Sequence, residues 1–200
     1  MQSTVPGETD DRNSRIENAV AAVKAGDKQS YEIIIKQFQR QIYTYCFYIL
    51  KNHTETEDAV QDIFIRAYAN LHRYGSSTSF SAWLYKIAYH HLINLKKKQS
   101  RWLRLVEHFK ESQQQQQLQV LPAESVTSEL LTYLTAEERH ILLLKAVEQY
   151  TFDEISGIMG LKASTVRKKY ERLRRKLLER VSHKEGARMH GTISGANKTS

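Results

Sequence analysis

Three groups of side chains in this 200-residue chain have types and spacings that a hydrophobic core does not require. Asp58, Gln61, Asp62 and Ile65 recur at i, i+3, i+4 and i+7, which lines two carboxylates, an amide and an aliphatic group along one helix face. Trp83, Lys86, His90, Asn94 and Lys97 recur in the same way. Together they offer a ring for stacking, ammonium groups for phosphate and an amide for hydrogen bonding, the set that a nucleic-acid strand demands. The third group is Ser164, Thr165, Arg167, Lys168, Glu171 and Arg172. Arginine can grip a guanine edge with two hydrogen bonds and lysine neutralises phosphate, so this is the composition of a major-groove reader. Ten lysines and arginines crowd the stretch from Lys162 to Lys184, opposed by Glu171 and Glu179. The formal net charge of +8 likewise favours a polyanionic partner.

None of these groups is arranged for catalysis. His53, His72, His90, His91 and His140 contain no H-E-x-x-H or comparable ligand spacing, and adjacent His90 and His91 point to different helix faces. Asp58 and Asp62 lie one helical turn apart, but neither a glycine-rich phosphate loop nor a nucleophile elbow accompanies them. The chain therefore reads as a non-enzyme without cofactor, metal or small-molecule substrate. Cys46, the only cysteine, sits in the aromatic run IYTYCFYIL and reads as a small buried hydrophobe. The N-terminus lacks the apolar segment of a signal peptide, and no run approaches the roughly twenty apolar residues that span a bilayer. A cytoplasmic protein without stable membrane insertion is expected.

Helices must position the three groups. Val60, Ile63, Phe64, Ala67 and Leu71 form the burial stripe of the first, entered through a capping box of Thr54 and Glu57. Leu84, Ile87, Ala88, His91 and Leu95 face inward on the second, which Thr78 or Ser79 can cap. Ahead of both, a helix from about Ile16 is broken at Gly26-Asp27, and Tyr31 to Leu50 makes a long helix with a broad apolar face. No strand-like alternation appears. The fold class is all-α, two small helical domains joined by a flexible linker. Residues 1–14 form a tail and 15–98 the first domain. The linker, 99–123, carries Gln113 to Gln117 and Pro122, with Trp102, Leu103, Val106 and Phe109 able to form a short helix. The second domain is 124–182, and 183–200 is again a tail.

The second domain contains a helix-turn-helix. Thr135 with Glu138 and Thr151 with Glu154 make capping boxes. In TFDEISGIMGLKASTVRKKYERL, Ile155 and Met159 pack from one helix and Val166 and Tyr170 from the next. Ser156 is small where the helices approach, Gly160 permits a left-handed turn and Leu161 plugs the gap. Lys162 stands where a capping serine would suit, so Ser164 is the alternative cap.

The combination resembles the extracytoplasmic-function (ECF) group of bacterial RNA polymerase sigma factors, the two-domain members of the sigma-70 family. EDAVQDIFIRAY (from Glu57), SFSAWLYKIAYHHLINLKKK (from Ser79), LTAEERHILLL (from Leu134) and the helix-turn-helix carry the resemblance, in that order, over roughly Gly26 to Leu178. It implies that Asp58, Gln61, Asp62 and Ile65 dock on the clamp helices of the largest subunit of core RNA polymerase. It further implies that the loop Gly75 to Ser79 and the helix from Phe80 capture melted −10 promoter DNA. Ser76, Ser77, Thr78 and Ser79 would wrap a flipped base, while Trp83, Lys86, Tyr89, His90, Asn94 and Lys97 hold the strand. Trp83 has a second reading as a packing anchor. Ser164, Thr165, Arg167, Lys168, Lys169, Glu171 and Arg172 would read duplex −35 DNA, with Glu171 either accepting from a cytosine amine or pairing with an arginine.

The sequence departs from the family at Tyr89-His90, where many members carry arginine-asparagine, and at Asn94, where aspartate is common. The preferred −10 base is therefore not transferable. Lys168 replaces a frequent serine. The polymerase flap and an anti-sigma factor are further partners that the resemblance implies. A polymerase-independent helix-turn-helix regulator is the alternative; it accounts for the second domain but not for the paired faces of the first.

Overall fold

The computed structural model describes residues 6–75, 77–109, 131 and 133–191. Seven α-helices, and no strand, occur among them: α1 (Pro6–Lys24), α2 (Tyr31–Leu50), α3 (His53–Asn70), α4 (Phe80–Phe109), α5 (Ala136–Leu142), α6 (Phe152–Met159) and α7 (Ala163–Gly191). They belong to two compact units, α1–α4 in the first and the greater part of α5–α7 in the second. The expected glutamine run and Pro122 lie outside the described residues.

In the first unit α2 packs against α1, α3 and α4, and α3 packs against α4. Most residues of the predicted stripes enter the core, while Val60, Ile87 and Leu95 stay partly exposed and Leu92 joins from outside the expected stripe. Ile34, Ile42 and Cys46 of α2 meet Ile63 and Ala67 of α3 and Leu84, Ala88 and Leu92 of α4, all completely buried. Burial pushes the Cys46 thiol up to about 12, so it stays protonated and inert, as a small core hydrophobe should. Tyr31 ties two helices by donating a 2.7 Å hydrogen bond to the Phe64 carbonyl oxygen.

Several boundaries differ from the sequence expectation. α1 begins at Pro6, inside the expected tail; proline at a first helical position costs nothing, because that amide has no intrahelical partner. α3 is not capped by Thr54 and Glu57. Lys51 takes a left-handed conformation, and Asn52, extended at φ −141°, accepts from the Glu55 amide at 3.0 Å. Thr54 then already lies within the first turn, where its hydroxyl cannot cap. α4 does not stop near Lys98 but continues to Phe109, absorbing the predicted short helix. α7 likewise continues past Ser182 to Gly191.

The second unit is small, and its helix ends are correspondingly well satisfied. The box at Thr135 and Glu138 is reciprocal, at 3.2 and 2.8 Å, and that at Thr151 and Glu154 repeats the same two distances. Gly160 sits at φ +68°, and the Leu161 amide bonds back to the Ser156 carbonyl at 3.1 Å, a Schellman-type close that ends α6. Ser164 does not cap α7. The Lys162 carbonyl accepts from the Thr165 and Val166 amides, which makes Lys162 itself the N-terminal boundary residue.

His140 is fully buried in this core. Burial, reinforced by Arg139, pushes its pKa down to about 3, against 6.5 when unperturbed. Below about pH 6.5 the unfolded chain takes up a proton that the folded chain refuses until about pH 3. Stability is therefore lost as pH falls through that window, by on the order of 1 kcal/mol per pH unit from this residue. Thermal unfolding of the chain and of His140→Leu, followed between about pH 6 and about pH 4, should show a flatter decline in the variant. Parallel declines would exonerate His140.

Candidate functional site

The first unit presents two different surfaces from two adjacent helices. On α3 the buried stripe is Thr56, Ala59, Ile63, Phe64 and Ala67, so Asp58, Gln61, Asp62 and Ile65 all project to solvent. Ile65 is 57% exposed, an unusual position for a large aliphatic side chain beside two carboxylates. Behind it runs an apolar groove of about 620 Å³ between α2 and α3, lined among others by Ile35, Val60, Phe64, Ile65 and Tyr68. Gln61 and Ile65 form part of that lining, and the acidic residues stand at its edge in sequence. The arrangement suits an amphipathic protein element that carries basic side chains.

The second surface is a cleft between α3 and α4, of about 310 Å³. From α4 it takes Trp83, Lys86, His90 and Asn94, as the spacing requires, with Lys97 exposed farther along the helix. Trp83 packs as an anchor and also lines the cleft. Its ring packs on Tyr74 and Phe80 at 5.4 Å from each, yet the side chain remains half-buried and walls the cleft. Tyr89 departs from the stripe: it is 9% exposed and forms core, because its helical position turns it towards the neighbours of Tyr85 and Leu92. Sequence spacing missed the other wall. Arg66, Asn70 and Arg73 come from α3 and the 3₁₀ turn that follows it. Their i, i+4, i+7 interval was the available signal, masked by the acidic stripe on the same helix.

The loop before α4 is anchored from a side that the sequence reading gave no role. Lys24 of α1 donates to the Tyr74 carbonyl at 2.6 Å, with its ammonium group 5.4 Å from the centre of the Tyr74 ring. The Tyr74 hydroxyl lies within hydrogen-bond reach of Glu17 and, at 3.1 Å, of the Thr78 carbonyl. Ser79, not Thr78, caps α4 by accepting from the Ala82 amide at 3.2 Å. Ser77, Thr78 and Ser79 are exposed, while Ser76 lies outside the described residues.

Asp62 and His91 meet between the two surfaces. His91 Nε2 lies 3.8 Å from the Asp62 carboxylate. Burial first, then Arg66, lowers the His91 pKa, and Asp62 opposes this only in part. His91 is thus neutral at pH 7, and its contact with Asp62 is not an ion pair.

In the second unit, Ser164, Arg167, Lys168, Glu171 and Arg172 project from α7 to solvent and Thr165 is partly exposed. Val166 and Leu173 are fully buried beneath them, with Ile155 from α6. Arg167 lies over the Phe152 ring at 5.3 Å, which restricts its rotamers before any partner arrives. Lys169 is different. Its ammonium group pairs with Glu137 at 2.7 Å and turns back towards α5, where Lys176 also approaches Glu138 at 3.5 Å. The i+2 displacement from Arg167 carries Lys169 to the flank of the helix. Among the described residues no group of three or more histidine, cysteine, aspartate or glutamate side chains could hold a metal ion, and no helix is long and apolar enough to cross a membrane.

Comparison with known proteins adds an independent observation. Residues 34–112 match the family model described as Sigma-70 region 2, and residues 127–177 match Sigma-70, region 4. The ECF RNA polymerase sigma factor SigW of Bacillus subtilis is 29% identical over 83% of this chain and 96% of its own length. SigX of the same organism is 24% identical over 70% and 77%. Among solved structures, CnrH in complex with the cytosolic domain of CnrY has a TM-score of 0.64 at 19% identity, covering 86% of this chain and 98% of that one. The sigma factor RpoE in complex with the anti-sigma factor NepR from Bartonella quintana has a TM-score of 0.65 at 20% identity, covering 77% and 98%. At these identities the structural likeness establishes the fold.

Proposed function

The chain belongs to the sigma-70 family, in its extracytoplasmic-function group, and directs promoter-specific transcription initiation; from that premise we propose how its surfaces divide the work. The exposed face of α3, Asp58, Gln61, Asp62 and Ile65, docks on the clamp helices of core polymerase. The loop with Ser77, Thr78 and Ser79, together with Trp83, Lys86, His90, Asn94 and Lys97, captures melted −10 DNA. Ser164, Thr165, Arg167, Lys168, Glu171 and Arg172 hold duplex −35 DNA. Residues 15–98 and 124–182 are the two functional domains, with the intervening segment crossing the core. The mechanism has no catalytic step on the sigma chain, and the protein acts in the cytoplasm, where its polymerase is.

The observation that carries this reading is the pairing in one unit of an exposed acidic-aliphatic face on α3 with a basic, tryptophan-walled cleft against α4. A helix-turn-helix alone serves many regulators; two such faces back to back serve a protein that joins an enzyme to a single strand. Two modest DNA contacts on one tether reinforce each other through effective concentration when their spacing matches. An anti-sigma protein that covers these faces is the proposed regulator, a reading supported by the complexes in which the related structures were solved.

Run-off transcription with purified core polymerase tests the docking face. Asp58→Ala/Asp62→Ala should reduce specific initiation about tenfold or more, and excess core should partly restore it, because the lost interaction is with core. A chain that never binds core and protects promoter DNA by itself would instead be a polymerase-independent regulator.

Holoenzyme binding to promoter DNA separates the α7 residues. Arg172→Gln should cost about 1–3 kcal/mol of −35 affinity, whereas Lys169→Gln should cost less than about 1 kcal/mol and act on stability instead. Equal losses in affinity would return Lys169 to the DNA face.

A further inference from the structure

Tyr74 is held at three points, and two of them belong to α1. Its carbonyl accepts from the Lys24 ammonium group at 2.6 Å. Its hydroxyl lies 2.5 Å from a Glu17 carboxylate oxygen and 3.1 Å from the Thr78 carbonyl oxygen. Thr78 is four residues on, so the last contact closes the loop before α4 on itself. Ser79 then accepts from the Ala82 amide at 3.2 Å, which ties the far end of the loop to the first turn of α4. Tyr74 is 5% exposed, and its ring packs on Phe80 at 5.3 Å and on Trp83 at 5.4 Å. Glu17 and Lys24 are both exposed and stand seven residues apart, about two turns of α1, hence on one face.

The Tyr74 hydroxyl has a single hydrogen, and both groups that face it are acceptors. Burial first, then the hydrogen bond to Glu17, raises the Tyr74 pKa, so the hydroxyl keeps that hydrogen and acts as the donor. One hydrogen cannot serve a carboxylate and a carbonyl fully at once. The shorter contact, with a carboxylate, has the advantage, and the Thr78 carbonyl takes what remains. Thr78 is exposed, so water replaces the weaker bond and the loop is free to open at that point.

We propose that Glu17 and the Thr78 carbonyl compete for the Tyr74 hydroxyl hydrogen, and that α1 thereby sets how firmly the loop is closed. Tyr74 and Glu17 are then positioning residues, which act on promoter DNA through the loop that carries Ser77, Thr78 and Ser79. This rests on the −10 reading above. It differs from simple bracing in sign, because the two partners of one hydroxyl pull the loop in opposite directions.

The test uses holoenzyme, assembled from the full chain and core polymerase, and a forked promoter fragment whose −10 non-template strand is unpaired. Tyr74→Phe keeps the ring and the Lys24 contact but loses the hydrogen. It should bind the fragment about three- to tenfold more weakly, the worth of one hydrogen bond. Glu17→Gln should bind it about two- to threefold more tightly, since an amide accepts less strongly than a carboxylate and can itself donate to the hydroxyl oxygen. In Glu17→Gln/Tyr74→Phe the gain should vanish, leaving the affinity of Tyr74→Phe, because Glu17 acts only through the hydroxyl. Competition for core should be the same for all forms.

A loss or no change in Glu17→Gln overturns the competition and leaves α1 as a brace. Unchanged affinity in Tyr74→Phe, or a Glu17→Gln gain that persists in the double variant, overturns it equally, while the −10 reading stands. If the unmodified holoenzyme shows no preference for the forked fragment over its fully paired counterpart, the −10 reading itself fails and the role of α1 falls with it.

Discussion

The architecture of the first unit depends on one packing constraint: α3 must bury a single stripe against α2 and α4 together. Ile63 and Ala67 are completely enclosed, and Ala67 is small enough for close helix approach. Once that stripe is fixed, every other residue of α3 has its direction set by the helical repeat. Asp58, Gln61, Asp62 and Ile65 are left on one side, Arg66 and Asn70 on another. One helix therefore presents two surfaces of opposite charge, and neither can rotate without unpacking the core. Rigid placement of this kind suits a protein that must hold an enzyme and a DNA strand in fixed relation.

The junction of those surfaces is electrostatically economical. Asp62 belongs to the acidic face yet lies near His91, which lines the basic cleft. Because His91 is held neutral by its surroundings, its approach does not neutralise Asp62. The carboxylate stays more than half exposed and available for docking. The same cleft is braced from α1 through Lys24, Glu17 and Tyr74, whose ring in turn supports Trp83. The N-terminal helix thus contributes order to a surface that it does not itself form.

The second unit achieves stability differently. Its hydrophobic core is small, so satisfied helix ends matter more to it. Two reciprocal capping boxes and a glycine-closed turn fix the angle at which α7 leaves α6, and Phe152 then holds Arg167 from below. The Lys169–Glu137 and Lys176–Glu138 pairs bind the flank of α7 to α5, whereas Arg167, Lys168 and Arg172 project outward without a carboxylate partner among the described residues. Division of one basic helix into paired and outward-facing charge follows from where acidic neighbours happen to stand.

Much of this was legible in the linear sequence. Burial stripes, both C-terminal capping boxes, the Gly160 turn and the two exposed stripes of the first unit all follow from helical periodicity and local hydrogen-bond chemistry. Those are properties of residues within a few positions of each other, and the family resemblance rests on the same stretches. What the sequence misread depended on contacts distant along the chain, or on competition between equally plausible local options. Asn52 outcompeted Thr54 as a cap through its backbone conformation. Tyr89 went inward because α4 meets its neighbours over a wider arc than the periodic stripe implied. Lys169 was claimed by Glu137, 32 positions away. The second wall of the cleft, Arg66 with Arg73 opposite Lys86, arises only when α3 and α4 lie side by side. Periodicity assigns residues to faces of a helix; only packing decides which faces of different helices confront each other, and a binding cleft is made of two.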